Sequence, residues 1–568
     1  MVNELTTAAY FLAPLIGSVP TNRRLVMTGC STRRLTLGGT GRLVTVAVVG
    51  SVLLASCASG GGSGSSKTAS APTSVTNGIV GGQNDQGSPV KGGTLSFAGY
   101  SVATSLDPTK TQPAGSTGGT EMSSIYDVLV RYDAATNKFT PQLAQSFDAD
   151  SDQKVWTLKL RPGVTFSDGT PVDSAAVVAS IERFNKNRGA NAQVWQSAVS
   201  KMEATDPSTV TITLNQPWRE FPTMLASGQG MIVAPAAYKT PTFTPIGAGP
   251  FTLQTFAPNE ATVVKARPDY WGGAPNLDSL KFVALLGDKA KADSLKSGGV
   301  QMAFTRTPQV VAQEQEAGYP GFLLTQPLGG VFNLNNRPGH PGSDLRIRQA
   351  IAAAVNVDTI NQRVYENKGL PGTEIFPVWS QWHNDVGGLK YDAAKAKQLV
   401  DAAKKDGVST TINYIGLSDP AAQATALTAQ ALLQAAGLTV NIQYQNSVAD
   451  VVKKLYVDHD YDMAFSSYSL YNTDPYTRLY SALNSKSTNN TIGYSNPDMD
   501  ALLAKIQAAP TDDAKKAALA DLQKLVNDTV PFVTLQASAT FIPWQKNVHG
   551  VKPTLDGVIL FDKVWMSS

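Results

Sequence analysis

Between Thr411 and Tyr468 the chain alternates between two hydrophobic periods, and this stretch limits the possible folds more than any other. Thr411 to Ile415 reads as a strand, Pro420 to Ala436 as a helix stopped by Gly437, and Thr439 to Tyr444 as a second strand. A helix from Val448 to Val457 and a strand from Met463 to Tyr468 complete a β-α-β-α-β run. Strands joined through helices predict a mostly parallel sheet with helices on its faces. Upstream, Ser343 or Asp344 caps a helix carrying Ile347, Ile351, Ala354 and Val355, and Asp392 opens another that runs to Gly407. The earlier part reads differently. Thr94 to Phe97, Lys154 to Leu160, Val164 to Phe166 and Thr209 to Leu214 are strand-like, with turns at Pro162-Gly163 and Asp168-Gly169. Asp173 caps a helix with Val177, Val178, Ile181 and Phe184 on one side. The chain therefore holds a mixed, strand-rich lobe and a doubly wound one.

Ahead of both lies an export signal. Arg33, Arg34 and Arg42 lead into an apolar run from Leu43 to Ala55, followed by Leu54-Ala55-Ser56-Cys57. The run is shorter than the ~20 residues a spanning helix needs. The pattern resembles the lipobox of bacterial lipoproteins, which implies lipid on Cys57 and removal of residues 1–56. A second apolar stretch, Thr6 to Val19, precedes this signal, so translation is expected to begin near Met27, the earlier residues being an extension. Thr32-Arg33-Arg34-Leu35 is a loose twin-arginine match, and the general secretory route is favoured over it. From Ala58 to Pro89 the sequence is poor in large apolar residues, so 57–91 is expected to be a lipidated Cys and a flexible tether.

The leader carries five Arg and one Glu, so the +3 of the whole chain becomes about −1 once it is removed. Such a balance gives nucleic acid no part to play. The two cysteines are Cys30 and Cys57, which leaves no disulfide framework and no thiol for catalysis. His340, His383, His459 and His549 lie far apart without metal-ligand spacing, so no metal and no cofactor are expected. The chain has no G-x-S-x-G elbow, no H-E-x-x-H, and no S-x-x-K followed by K-T-G, which argues against a hydrolase.

A series of short segments, in order, carries a family resemblance. These are Ser105-Leu106-Asp107-Pro108, Ile125-Tyr126-Asp127-Val128-Leu129-Val130, Pro141-Gln142-Leu143-Ala144, and Leu160-Arg161-Pro162-Gly163-Val164-Thr165-Phe166-Ser167-Asp168-Gly169. Gly247-Ala248-Gly249-Pro250-Phe251 precedes Asp269-Tyr270-Trp271-Gly272-Gly273, and Arg346 to Ile351 and Tyr461-Asp462-Met463 follow. From Gly92 to Trp565 the chain resembles the extracytoplasmic solute-binding proteins of ABC importers, in the peptide/nickel-binding family. The resemblance implies an α/β, two-lobed periplasmic-binding-protein fold of the large class. It implies a hinge of crossing strands, a ligand cleft between the lobes and an extra inserted subdomain. The large lobe is expected at 92–329, with the insertion at about 126–205. The second lobe is expected at 330–530, and the return to the large lobe at 531–568. The crossings are expected at Gly330 to Asn335 and Pro531 to Gln536.

Most of these motifs are architectural, and Arg346 and Arg348 are expected in salt bridges rather than at a ligand. Ligands of open α/β sheets bind at strand C-termini. The resemblance and this rule together point to the loop Tyr468 to Tyr476, with Tyr471, Asn472 and Asp474 as candidates. In peptide receptors an acidic residue four before the Pro pairs with the ligand's amino terminus; here that position is Tyr471. Asp474, just before Pro475, is expected to cap a helix. Trp379 and Trp382 in the loop Phe376 to Trp382 are a second candidate wall. Thr120 in the Gly-rich stretch Gly115 to Glu121 is a third, and Asn333 on the first crossing completes the set. The expected function is a lipid-anchored, monomeric receptor on the outer face of the cytoplasmic membrane. It would capture a small organic solute, foremost an oligopeptide, and deliver it to the permease subunits of an ABC importer. A glycan, opine-like compound or other polar metabolite is the alternative ligand, and a sensor protein the alternative partner.

Overall fold

The computed structural model describes residues 77–82, 87–101, 103–258 and 260–567. The leader, Met27 and Cys57 lie outside the described residues. Among those described, no helix is long and apolar enough to cross a membrane.

The large lobe is built on a five-stranded sheet in the order Met302–Ala303, Thr94–Ala98, Ser279–Val283, Ala261–Ala266, Phe251–Ala257. Thr94–Ala98 pairs in parallel with both of its neighbours, and the other pairs are antiparallel. Leu95, Phe97, Val264, Phe282 and Phe561 form its core, so the apolar positions of each strand share one face. The family-like motifs serve this packing. Asp127 accepts hydrogen bonds from the Tyr270 hydroxyl at 2.7 Å and Trp271 Nε1 at 3.0 Å, which joins two segments distant in sequence. Gly247 and Gly249 press against the helix Gly119–Tyr126: a Cβ would lie 2.3 Å from the Ile125 carbonyl oxygen and 2.5 Å from that of Ser124. Asp107 accepts from Arg183 Nη1 at 3.0 Å and so clamps the helix Ser174–Lys186.

The inserted subdomain holds an antiparallel sheet in the order Ala144–Ala149, Val155–Leu160, Thr209–Leu214, Val199–Asp206. Trp156, Leu158, Val210 and Ile212 are buried beneath the helix Ser174–Lys186, whose first turn is capped by Asp173 through the Ala176 amide. This sheet runs past residue 205 to Leu214, because the hairpin needs both of its last strands to cover the apolar face.

The second lobe carries the parallel strands Thr439–Gln445, Thr411–Leu417 and Met463–Ser466. Only this half of its sheet is parallel. Next to Met463–Ser466 runs Gly321–Leu334, antiparallel to it, then Phe532–Pro543 and the short Leu370–Pro371, each antiparallel to its neighbour. The expectation of a mostly parallel sheet is corrected accordingly: the strands that arrive from the large lobe cannot follow the helix-crossover direction. The helix Val448–Val452 gives way to a π-helical turn over Lys453–Asp458.

Gly321–Leu334 and Phe532–Pro543 are the crossing strands, longer than the segments expected at 330–335 and 531–536. Their second-lobe halves pair from Gly330 to Asn333, and their large-lobe halves from Gly321 to Gln326. The large-lobe end is tied to Met302 and Thr305 through bridges to Trp544 and Phe541. Between the halves the register slips at Pro327-Leu328-Gly329. Pro327 has no amide to donate, Leu328 adopts φ +52°, and a Cβ on Gly329 would lie 2.0 Å from the Ser538 nitrogen. This bulge is where two lobes sharing one pair of strands can bend.

The expected tether over 57–91 is shorter than the sequence suggests. Gly78–Val80 is a strand pairing with Gly321 to Leu323, and Asn77 Oδ1 accepts from the Thr325 amide and hydroxyl. The large-lobe half of the crossing strand has an unpaired edge there, and the Gly78–Val80 backbone satisfies it. Arg346 pairs with Asp344 and Asp406, while Arg348 donates to the carbonyls of Gly342, Thr529 and Val530. Neither reaches the cavity described below.

Candidate ligand-binding site

A narrow hollow of about 60 Å³ lies where the two lobes face each other across the crossing strands. The large lobe contributes Gln112, Ala114, Ser116 and Thr117 from one loop, Phe304 and Arg306 from another, and Asp556 from the C-terminal return. Leu324, Gln326 and Thr540 come from the crossing strands, and Ser467, Tyr468, Ser469 and Arg478 from the second lobe. Polar groups converge on it as they do in ligand sites, but its volume is well below the roughly 300–1,000 Å³ of a formed small-molecule pocket, so a solute enters only if the lobes part. A second, more open hollow of about 390 Å³, between His383-Asn384-Asp385 and the exposed side of the helix Asp512–Thr529, lies away from the crossing strands.

One buried ion pair bridges the lobes at the cavity wall. Arg478, on the helix Pro475–Leu483, donates from Nη2 to Asp556 Oδ2 at 3.1 Å and to the Tyr471 hydroxyl at 2.7 Å. Tyr471 in turn donates to Asp556 Oδ2 at 3.3 Å, and the Arg478 guanidinium lies 4.7 Å from its ring centroid. Gln326 Nε2 joins Asp556 Oδ1 at 3.3 Å to the Ser469 carbonyl at 3.2 Å. Burial pushes the Asp556 carboxyl above its usual range, against the pull of Arg478 and Arg306. Asp556 adopts φ +57° and Ser469 φ +45°, so the network holds two non-glycine residues in left-handed backbone.

Arg306 is fixed from behind. Asp288 Oδ2 accepts from the Arg306 and Thr307 amides, each at 2.7 Å, while Lys291 donates to Asp288 and to the Phe304 carbonyl. Among the described residues no carboxylate forms an ion pair with the Arg306 guanidinium; its nearest described aromatic partner is the Tyr100 ring, at 5.6 Å.

The sequence candidates are distributed around this cavity rather than on it. Tyr471 lies one layer behind, packed with Ala226 and Leu555 and committed to Arg478 and Asp556. Asn472 braces the neighbouring loop: its Oδ1 accepts from the Ser380 hydroxyl, and its carbonyl from Trp382 Nε1. Asp474 is fully buried and caps the helix through the Tyr476 amide and Thr477 hydroxyl. Trp382 is core, and Trp379 is half-buried without lining the cavity. Thr120 turns its hydroxyl to the Ile559 amide, although its neighbours Ser116 and Thr117 do line the wall. Asn333 is occupied by the Tyr468 hydroxyl and by Thr491. Arg306, Arg478 and Asp556 were missed. For Arg478 a signal existed: it is the only charge in the helix Pro475–Leu483.

Glu121 sits behind the same wall, on the helix Gly119–Tyr126. It is buried, its Oε1 has no partner among the described residues, and burial pushes its carboxyl up to about 7. A folded-state pKa above the unfolded one means stability is fully present below about pH 4.5 and is lost as pH rises through about 7. The contribution is up to about 3 kcal/mol. Urea denaturation is therefore expected to show lower stability at pH 8 than at pH 5. Glu121→Gln should shrink the difference, and the other raised carboxyls, Glu314 at about 7 and Asp127 and Asp474 at about 6, account for the remainder. An unchanged difference in Glu121→Gln would contradict this assignment.

Residues 138–490 match the family described as bacterial extracellular solute-binding proteins, family 5 middle. The chain is 28% identical over 426 residues to the glutathione-binding protein GsiB of Escherichia coli K12, covering 72% of this chain and 82% of that one. It is similar in structure to DppA of Helicobacter pylori in complex with the peptide STSA, with TM-score 0.72 and 24% identity over 84% of this chain and 99% of that one. It is also similar to AgaA of A. tumefaciens R10 in complex with agropinic acid, with TM-score 0.70 and 25% identity over 84% and 99%.

Proposed function

The chain belongs to the bacterial extracellular solute-binding proteins of family 5, and from that premise we propose that it captures a short peptide or peptide-like solute in the cavity between its lobes. Members of this family are the binding receptors of ABC importers, not enzymes, and act outside the cytoplasm. The observation that carries the ligand reading is the cavity itself. It is walled by both lobes, crossed by the hinge strands and lined with charged and hydrogen-bonding groups of both signs. A solute with an ionised end meets such a lining better than a neutral sugar, for which stacking aromatic faces are the expected partners. The glutathione- and peptide-binding relatives support the same choice, while the likeness to an agropinic acid complex keeps an opine-like ligand as the second reading. Lobe closure at the Pro327–Gly329 bulge is the signal offered to permease subunits, with the receptor acting as a monomer held to the membrane by lipid on Cys57.

The test is mass spectrometry of whatever co-purifies with the exported protein, followed by thermal-shift titration. Di- to tetrapeptides and glutathione are expected to raise the melting temperature by mass action. A shift with a saccharide and none with peptides would overturn the ligand reading. The intact mass of the membrane-extracted protein should show acyl chains on Cys57; an unmodified thiol there would overturn the anchor.

A further inference from the structure

The charges of the cavity carry the ligand's chemistry one step further, resting on the reading above. Tyr471, one layer behind the wall, brings no charge of its own to the cavity. That tyrosine is committed to a cation, Arg478. The charged groups on the wall are Arg306, Arg478 and Asp556, one positive charge in excess. Asp556 is not available as a free anion, because Arg478, Tyr471 and Gln326 all bond to it. Arg306 is in the opposite situation. Its backbone is anchored by Asp288, itself fixed by the buried Lys291, and no described carboxylate pairs with its guanidinium. Asp556 feels Arg306 but is already bonded by Arg478, so a guanidinium on an anchored backbone, without a carboxylate in ion-pair contact, supplies the wall's excess positive charge and suits a planar anion. We propose that this cavity selects its solute through a carboxylate, which Arg306 binds, the Arg478–Asp556 pair remaining intact as part of the wall. Recognition then depends on the acid end of the ligand, and an amino terminus is dispensable.

Thermal-shift and calorimetric titrations with trialanine, trialanine amide, N-acetyl-trialanine, glutathione and maltotriose test this on the whole exported protein. The free acids, N-acetylated or not, are expected to bind roughly 10- to 100-fold more tightly than the amide, the range of one charge-assisted hydrogen-bonded contact. In Arg306→Gln the discrimination should collapse while the melting temperature without added solute stays close to that of the wild type, since the side chain carries no ion pair. Arg306→Lys should restore part of it. Amide and acid binding equally well would overturn this inference and leave the peptide reading standing. Loss of binding on N-acetylation would do the same, by placing recognition at the amine. Maltotriose binding alone, or no binding by any probe, would overturn both.

Discussion

Lys515→Ala is expected to cost about 3–5 kcal/mol of stability, because it removes a cation from a site where two carboxyls are buried. Lys515 lies on the helix Asp512–Thr529 of the second lobe, with its side chain fully buried, and pairs with Glu220 of the large lobe's inserted part. It also faces Asp474, whose carboxyl is pushed up to about 6 by burial and drawn back by Lys515. Trp382 offers its ring 5.7 Å away. Removing the lysine strands both acids; Arg219, 3.2 Å from Glu220, is left as the one nearby cation. Around this pair run Trp218 against Tyr476 at 5.2 Å, Arg219 to Asp512 at 2.6 Å, and Gln193 to the Thr488 amide at 3.1 Å. The loss should therefore appear as a lower melting temperature and as a looser contact between insertion and second lobe. In a double-mutant cycle, Lys515→Met with Glu220→Leu should be less destabilised than the summed singles by about 1–3 kcal/mol. Strict additivity would show that the pair does not hold the two parts together.

Much of the architecture is legible in the sequence, for local reasons. Strands such as Val155–Leu160 and Thr209–Leu214 bury one face and alternate cleanly, and Asp173 caps the helix after it. Gly321–Leu334 is harder to read, because Pro327, Gly329 and Gly330 punctuate it as a loop. A partner strand some two hundred residues away keeps it extended, and that pairing has no local trace. The same long-range entry turns half of the expected parallel sheet antiparallel.

The site divides in the same way. The rule that ligands meet strand ends points to the loop after Met463–Ser466, and Ser467, Tyr468 and Ser469 there line the interlobe hollow. Which side chains turn inward is decided by tertiary partners. Ala226 and Leu555 draw Tyr471 back into the core, and Ile559 claims Thr120. Asp556 enters from the C-terminal return on a left-handed residue with no motif around it.

Arg478 carries the second large effect, because it is both the wall of the cavity and the bridge between the lobes. Arg478→Leu leaves Asp556 buried with only Tyr471 and Gln326 as described hydrogen-bond partners, and removes one of the two described hydrogen bonds, from Arg478 and Tyr471, by which the second lobe reaches Asp556. Truncating one member of a buried, hydrogen-bonded charge pair strands the other, at a cost of about 3–5 kcal/mol of stability, and here the stranded charge stands in the wall the solute meets. Asp556→Asn keeps the size of the side chain and an acceptor for Gln326, so it should fold even if Arg478→Leu is fragile. The deciding measurement is a calorimetric titration of the wild type, Arg478→Leu and Asp556→Asn with the solute recovered from the purified protein. A receptor that takes its solute in this cavity should lose affinity by roughly 30-fold or more in Arg478→Leu, and by a smaller factor in the folded Asp556→Asn. Wild-type affinity in both variants would place the solute elsewhere and contradict the account.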